Sequence, residues 1–338
     1  MPNLYERIEL LSKLQQHILD NGDEWKAVKE RASNYNAWFI PEFIDSATKS
    51  IAASFLEKEK LLHWVKEYAI PLLNENPVNV GITMAGNIPL VGFHDFLCVF
   101  IQGHKQTIKL SSKDNVLLPY LVNKLIGWNA AVSELVSFQE MLKGCDAYIA
   151  TGSNNSARYF EYYFRKYPHI IRKNKTSVGI IKGNESMAAL EKLADDIYLY
   201  FGLGCRSITK IFVPAGYDFI PLLEAFKKYD SLVDNHKYKH NYDYNLAMHL
   251  VNQKFYMTNG SVILSENKSA FSPISQLNYQ YYTDINEVYT ALNPEEIQCI
   301  TGINKIPFGS SQAPQLTDYA DGIDTMAFLK QLTGTVSV

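Results

Sequence analysis

Between Val78 and Lys166, apolar runs of strand length alternate with stretches of helical apolar spacing, and that alternation constrains the fold of this chain more than any other feature. Val78 to Met84 reads as a buried strand, Pro89 to Gln102 as a helix, Gln106 to Leu110 as a strand and Val116 to Ile126 as a helix; Tyr148 to Ala150 follows as a strand and Asn155 to Lys166 as a helix. A crossover helix returns the chain to the end of the sheet where the previous strand began, so strands linked this way run parallel. The expectation is an α/β fold built on a doubly wound, mostly parallel sheet. Ahead of it, Leu4 to Leu19, Trp25 to Trp38 and Ala47 to Ile70 carry helical spacing and form a helical lead-in.

Doubly wound sheets take ligands in the loops at the carboxyl ends of their strands. Here those loops are Ala85-Gly86-Asn87, Ser111-Ser112-Lys113 and Thr151-Gly152-Ser153. The last opens a helix, so its amides and the Ser153 hydroxyl suit a phosphate, or Ser153 is an ordinary N-cap. Lys109 closes its strand toward the same crevice, where an ammonium suits ribose hydroxyls or a phosphate; the alternative is a surface lysine with its stem on the sheet. Asn87 precedes Ile88-Pro89 at a helix start, where its amide suits a developing oxyanion or a helix cap.

One cysteine stands apart from the other three. Phe201-Gly202-Leu203-Gly204-Cys205-Arg206 lies between a helical run carrying Leu190, Leu193, Ala194, Ile197 and Phe201 and a strand-like run from Ser207 to Val213, with Gly202 as the helix stop. A nucleophile would be presented there, although flanking glycines also serve plain turns. Cys98 sits in an apolar helical run, Cys145 precedes the strand Asp146 to Ala150, and Cys299 alternates with Ile297 and Thr301. These three read as small buried hydrophobes. Four cysteines without metal-ligand spacing or disulfide density fit a reduced, cytoplasmic protein.

At 338 residues and 47% hydrophobic content the chain can fill two domains. A net charge of -3 with both signs interspersed offers no basic face to nucleic acid. With Glu6 and Glu9 ahead of any apolar run in Met1 to Leu10, no signal peptide is expected, and Ile88 to Ile101, interrupted by His94 and Asp95, is too short to span a membrane.

Taken in order and spacing, Ala85-Gly86-Asn87-Ile88-Pro89-Leu90, Ile108-Lys109-Leu110-Ser111-Ser112-Lys113, Ala150-Thr151-Gly152-Ser153, Gly204-Cys205, Ile306-Pro307-Phe308-Gly309 and the run from Asp318 to Thr325 resemble the aldehyde dehydrogenase superfamily. Gly92-Phe93-His94-Asp95 and Asp318-Tyr319-Ala320-Asp321-Gly322 look like its LuxC-type branch, the acyl-CoA or acyl-protein reductases. The likeness covers most of residues 77–330. It implies an aldehyde-dehydrogenase-like fold: residues 1–195 as a helical extension plus NADP-binding Rossmann-like domain, and 196–338 as a second α/β catalytic domain with a C-terminal return segment. It implies Cys205 as the nucleophile that carries the acyl group, helped toward its thiolate by Arg206, and Asn87 with the Cys205 amide as the oxyanion donors. Lys109, with Ser111, Ser112 and Lys113, would meet the cofactor ribose, Thr151, Gly152 and Ser153 its pyrophosphate, and Phe271 its nicotinamide end.

Departures from the superfamily pattern narrow the reaction. Aldehyde-oxidising members place a glutamate before the nucleophile to activate water; the matching stretch here, Ile171 to Ile181, contains no carboxylate. Without that base the acyl-cysteine persists until a thiol or a hydride meets it. Where NAD-preferring members hold an acid against the ribose, this chain has Ser112 and Lys113, which tolerate a 2'-phosphate and favour NADPH. The ribose-clamping glutamate is replaced by Ser269, before Phe271.

His94 is a candidate acid or base, or a histidine satisfied by a backbone carbonyl. His236 and His240 have the i,i+4 spacing of a metal clasp but no matching third ligand, so no metal is expected; Asp230 to Tyr244 around them reads as a polar surface segment. The expectation is NADPH-dependent reduction of a fatty acyl-CoA or acyl-protein thioester to the aldehyde, with an acyl-protein synthetase as partner and a homo-oligomer implied by the family. The alternatives are a CoA-acylating short-chain aldehyde dehydrogenase and an acyl-binding scaffold without chemistry.

Overall fold

Four helices open the chain in the computed structural model, which describes residues 1–332. The first, α1 (Leu4–Asp20), begins at a capping box: the Asn3 side chain accepts from the Glu6 amide at 3.0 Å and the Glu6 carboxylate accepts from the Asn3 amide at 2.7 Å. Next come α2 (Asp23–Tyr35), α3 (Pro41–Phe55), with proline at its first position, and α4 (Lys58–Glu67). The single helix expected from Ala47 to Ile70 is thus two, with an extended residue, Glu57, between them. A continuous helix would carry Trp64 about 140° round from the buried Ile51. Trp64 is itself buried, so the chain has to turn.

The first sheet comprises β1 (Asn79–Thr83), β2 (Lys105–Lys109), β3 (Val136–Phe138), β4 (Ala147–Thr151) and β5 (His169–Arg172), with α5 (Phe93–Gln102), α6 (Leu117–Trp128) and α7 (Asn154–Phe164) as crossovers. Its order is β3-β2-β1-β4-β5 and every pairing is parallel. Strand order reverses between β1 and β4, the switch point at which such sheets open a crevice. Thr83 pairs with both Lys109 and Ala150, so the loops after β1, β2 and β4 leave the sheet at one edge. Fully buried Val80, Ile82, Ile108 and Ile149 form the core of the sheet. Helix α5 has no polar face because it lies between the sheet on one side and α1 and the last helix, α12 (Thr325–Leu332), on the other.

The second sheet is built from β6 (Thr176–Ile180), β7 (Ile208–Pro214), β8 (Met257–Thr258), β9 (Ile263–Glu266), β10 (Gln276–Tyr282) and β11 (Ile297–Gly302), with α8 (Met187–Tyr198), α9 (Ile220–Phe226), α10 (His236–Val251) and α11 (Ile285–Ala291). Its order is β11-β6-β7-β10-β9-β8, parallel except for β8 against β9. The fold is therefore α/β throughout, with a largely parallel sheet in each of two units: Met1–Asn174 with the segment from Pro314, and Lys175–Ala313. This division differs from a boundary at 195/196. Strand β6 pairs with β7 and β11, which takes 175–195 into the second unit, while α12 packs on α5 and takes the return segment into the first. Among the described residues no helix is long and apolar enough to cross a membrane.

Asp230 to Tyr244 is also more than a polar surface. A 3₁₀ stretch leads into α10, whose Tyr238 and Tyr242 turn inward, the Tyr238 hydroxyl donating to the Ser261 carbonyl at 2.8 Å and the Tyr242 hydroxyl bonding the Thr258 hydroxyl at 2.9 Å. His236 and His240 lie on its exposed side with ring centroids 6.4 Å apart.

Candidate active site

Helix α8 stops at Tyr198, three residues earlier than its apolar spacing suggests, because Tyr200 (φ 58°), Phe201 (φ 56°) and Gly202 (φ 72°) all take left-handed backbone. Two bulky residues in that region are strained, and the cost is met by packing: Tyr200 and Phe201 are buried. The chain then enters the turn that carries Cys205. The Gly204 amide donates to the Ser207 hydroxyl at 3.2 Å, the Ser207 amide donates to the Gly204 carbonyl at 3.0 Å, and Gln312 Nε2 donates to the Ser207 hydroxyl at 3.2 Å. From β6, the Ser177 hydroxyl donates to the Cys205 carbonyl at 2.9 Å and lies 3.0 Å from Cys299 Sγ. The turn is thus held by its own Gly204–Ser207 bonds, from β6 and from Gln312 in the segment ahead of Pro314.

Burial separates Cys205 from the other cysteines, none of which forms a disulfide. Cys98, Cys145 and Cys299 are buried, whereas Cys205 is half-buried. Burial pushes the Cys98 thiol well up, with Asp95 adding to the effect, and burial also raises Cys145. Neither is disposed to become the thiolate that attacks a carbonyl.

Asp196, which the sequence did not flag, fixes the helix that leads to this turn. It is fully buried at the end of α8, and its carboxylate accepts from the Gly309 amide at 2.8 Å, the Ser311 amide at 3.0 Å and the Ser311 hydroxyl at 2.7 Å. Burial raises its carboxyl, and those three donors oppose the shift. Pro307-Phe308-Gly309 therefore serves to dock the chain onto α8.

In the first unit, Lys109, Ser112, Lys113 and Ser153 are exposed and Asn87, Ser111, Thr151 and Gly152 half-buried. Ser153 N-caps the 11-residue α7, its hydroxyl accepting from the Ser156 amide at 3.2 Å, so the ordinary capping role is realised. Gly152 has no room for a side chain, since a Cβ would fall 2.9 Å from Ser156 Cβ and from Phe160. The Ser111 hydroxyl is engaged within its own loop, accepting from the Lys113 amide at 3.2 Å. Gly86 is pressed against that loop: a Cβ there would stand 2.6 Å from Ser111 Oγ. Two exposed lysines, an exposed serine and a helix N-terminus at the switch point fit the phosphates and ribose of a nucleotide cofactor.

Asp114, at the end of the lysine-bearing loop, was also missed by the sequence. Its Oδ2 accepts from the Leu90 amide at 2.8 Å, and burial pushes its carboxyl up to about 6 against the pull of that bond. The helix expected from Pro89 begins only at Phe93, because Leu90 is held there with φ 56° and Gly92 is pressed against Met84.

His94 is half-buried on α5. Its Nε2 bonds the Leu316 carbonyl at 3.0 Å, and its ring lies 4.9 Å from Phe55 and 5.5 Å from Tyr319, centroid to centroid. Of the two readings the sequence left open, these contacts match the second: the imidazole bonds a backbone carbonyl and is clamped among aromatic rings. Next to it, Asp95 pairs with Arg172, which also donates to the Thr325 hydroxyl at 2.8 Å. The Trp64 indole donates to Tyr319 at 3.0 Å, the Tyr319 hydroxyl to Tyr68 at 2.8 Å, and the Tyr68 hydroxyl to Asp324 at 2.7 Å. Gly92-Phe93-His94-Asp95 and Asp318 to Thr325 are thus two halves of one structural clamp.

Phe271, in the second unit, is 37% exposed in a loop closed by Ser269, whose hydroxyl donates to the Phe271 carbonyl at 2.9 Å. Asn278 Nδ2 donates to the Ser269 and Phe271 carbonyls at 3.1 and 3.0 Å. Among the described residues no cluster of three or more His, Cys, Asp or Glu side chains is arranged to hold a metal ion.

Solved structures share this fold. Aldehyde dehydrogenase 21 from Physcomitrella patens, in complex with the reaction product succinate, matches with a TM-score of 0.67 and 13% identity over 98% of this chain and 84% of its own. The aldehyde dehydrogenase KauB from Pseudomonas aeruginosa matches at 0.65 and 14% identity over 91% and 74%. The Mycobacterium tuberculosis aldehyde dehydrogenase complexed with NAD+ matches at 0.63 and 13% identity over 86% and 71%. No family model and no curated relative matches the sequence, so the likeness is one of fold.

Proposed function

We propose that this protein is a nicotinamide-dependent oxidoreductase that reduces a fatty acyl thioester, acyl-CoA or acyl-protein, to the aldehyde through an acyl group carried on Cys205. The presentation of Cys205 carries the proposal: it is a half-buried thiol on a turn pinned by Ser177 of β6 and by Gln312, after a strained left-handed stretch, in a fold shared with aldehyde dehydrogenases. As thiolate, Cys205 adds to the thioester carbonyl; the tetrahedral adduct then expels the donor thiol and leaves an acyl-cysteine. The resemblance assigns Asn87 and the Cys205 amide as donors to the oxyanion. The acyl-cysteine becomes a thiohemiacetal on taking the hydride that a bound nicotinamide would supply. Collapse of that adduct releases the aldehyde and restores the Cys205 thiol.

The absence of any carboxylate between Ile171 and Ile181 supports reduction over hydrolysis, since no side chain there can activate water. Exposed Ser112 and Lys113 support NADPH, because a hydroxyl and an ammonium accept a 2'-phosphate that a carboxylate repels. Lys109 would hold the ribose and the N-terminus of α7 the pyrophosphate. The test is product analysis: purified protein with a long-chain acyl-CoA should consume NADPH and release the aldehyde, and Cys205→Ala should do neither. Release of free fatty acid instead of aldehyde would refute the assignment.

A further inference from the structure

Asn87 is bracketed by two contacts to the neighbouring loop. On one side Gly86 is pressed so closely that a Cβ would stand 2.7 Å from Ser111 Cβ and 3.2 Å from the Asp114 amide nitrogen. On the other, Asp114 Oδ2 holds the Leu90 amide at 2.8 Å, with Leu90 in left-handed backbone. The Asp114 amide in turn donates to the Ser111 carbonyl at 3.1 Å, closing the turn that carries Ser112 and Lys113. Asp114 is only 8% exposed, it lies among Met84, Leu90, Phe93, Leu110 and Leu118, and its Oδ1 has no hydrogen-bond partner. A carboxylate so placed is a costly way to cap one amide. What it gains is a rigid link between two loops that the chain otherwise joins only through α5 and β2.

We propose that Asp114 is a positioning residue: by holding the Leu90 amide it locks the Asn87 loop to the Ser111-Ser112-Lys113 loop, so that the oxyanion donor and the cofactor contacts are aligned together. This inference rests on the function proposed above. Its test has one arm that does not depend on activity. In hydrogen exchange followed by mass spectrometry, Asp114→Ala should speed exchange at least tenfold in the peptide spanning Ala85 to Phe93, while Asp114→Asn, whose side-chain oxygen still accepts from Leu90, stays within threefold of wild type. Unchanged exchange in Asp114→Ala overturns the inference whatever the enzyme does; altered exchange with no turnover by the wild type overturns only the proposed reaction.

The kinetic arm is a double-mutant cycle. Asp114→Ala should lower kcat at least tenfold, whereas Asp114→Asn should keep it within threefold of wild type. If Asp114 acts through Asn87, the Asn87→Ala/Asp114→Ala enzyme is no slower than Asn87→Ala alone. Losses that multiply would show that Asp114 acts elsewhere and overturn the proposal. If Asp114→Ala does not fold, Asp114→Ser, which shortens the acceptor, takes its place in both arms.

Discussion

Replacing Asp95 by alanine leaves the Arg172 guanidinium charged and without its counter-ion inside the first unit. Arg172 is 3% exposed and Asp95 6%, so neither charge is relieved by water. Burial alone would lower Arg172, but the charge and hydrogen bond of Asp95, with Asp321 and Cys98 adding to them, leave the guanidinium raised. Removing one partner of such a buried pair costs about 3–5 kcal/mol. The remaining donation to the Thr325 hydroxyl softens the loss little, because Arg172 Nε already has no partner. For a folding unit of this size each kcal/mol lowers Tm by roughly 2–4 °C, so Asp95→Ala should melt roughly 6–20 °C below wild type. Circular dichroism melts and urea titrations measure this directly. The double variant Asp95→Leu/Arg172→Met, which removes both charges, should recover most of the loss. A variant Asp95→Ala within about 1 kcal/mol of wild type, or a double variant no more stable than the single one, would refute the reasoning.

Asn87→Ala should lower kcat roughly 100- to 1,000-fold with little change in KM, as expected for a donor that acts on the transition state; equal losses in kcat and substrate binding would point to misfolding. Ser112→Glu should cut the preference for NADPH over NADH roughly tenfold or more, read from the ratio of kcat/KM values, and an unchanged ratio would remove Ser112 from the cofactor site. Stability should vary with pH through Asp114, whose carboxyl is raised to about 6 in the fold. Since the fold favours the protonated form, this contribution is full below pH ~4 and is lost as pH rises through about 6. Wild type should therefore lose about 3 kcal/mol relative to Asp114→Asn between pH 4 and 7.5, and a pH-independent difference would contradict the burial assigned to Asp114.

The architecture was legible because it rests on apolar periodicity. Val78 to Met84 encloses β1 and Gln106 to Leu110 falls within one residue of β2, and the three loops leave one edge of the sheet as parallel pairing requires. Helix ends were less legible where a distant group sets them. Pro89 signals a helix start, yet the Leu90 amide is taken by Asp114 and the helix waits until Phe93. Likewise the apolar spacing through Phe201 continues past Tyr198, but nothing local shows that Tyr200 and Phe201 turn left-handed. The groups missed at the candidate site, Asp114, Asp196 and Ser177, act by accepting or donating across long sequence gaps, which spacing does not reveal. His94 looked chemical because histidine titrates near neutrality; its partner, the Leu316 carbonyl, lies in the return segment, which only the folded chain brings beside it.

Intact-protein mass spectrometry of the purified chain after mixing with a long-chain acyl-CoA tests the central claim, that Cys205 carries the acyl group. Wild type should gain one acyl mass that Cys205→Ala does not, and NADPH, but not NADH, should discharge it as the aldehyde. An adduct of equal yield on Cys205→Ala, or no adduct on wild type with either acyl-CoA or an acylated protein donor, would contradict it.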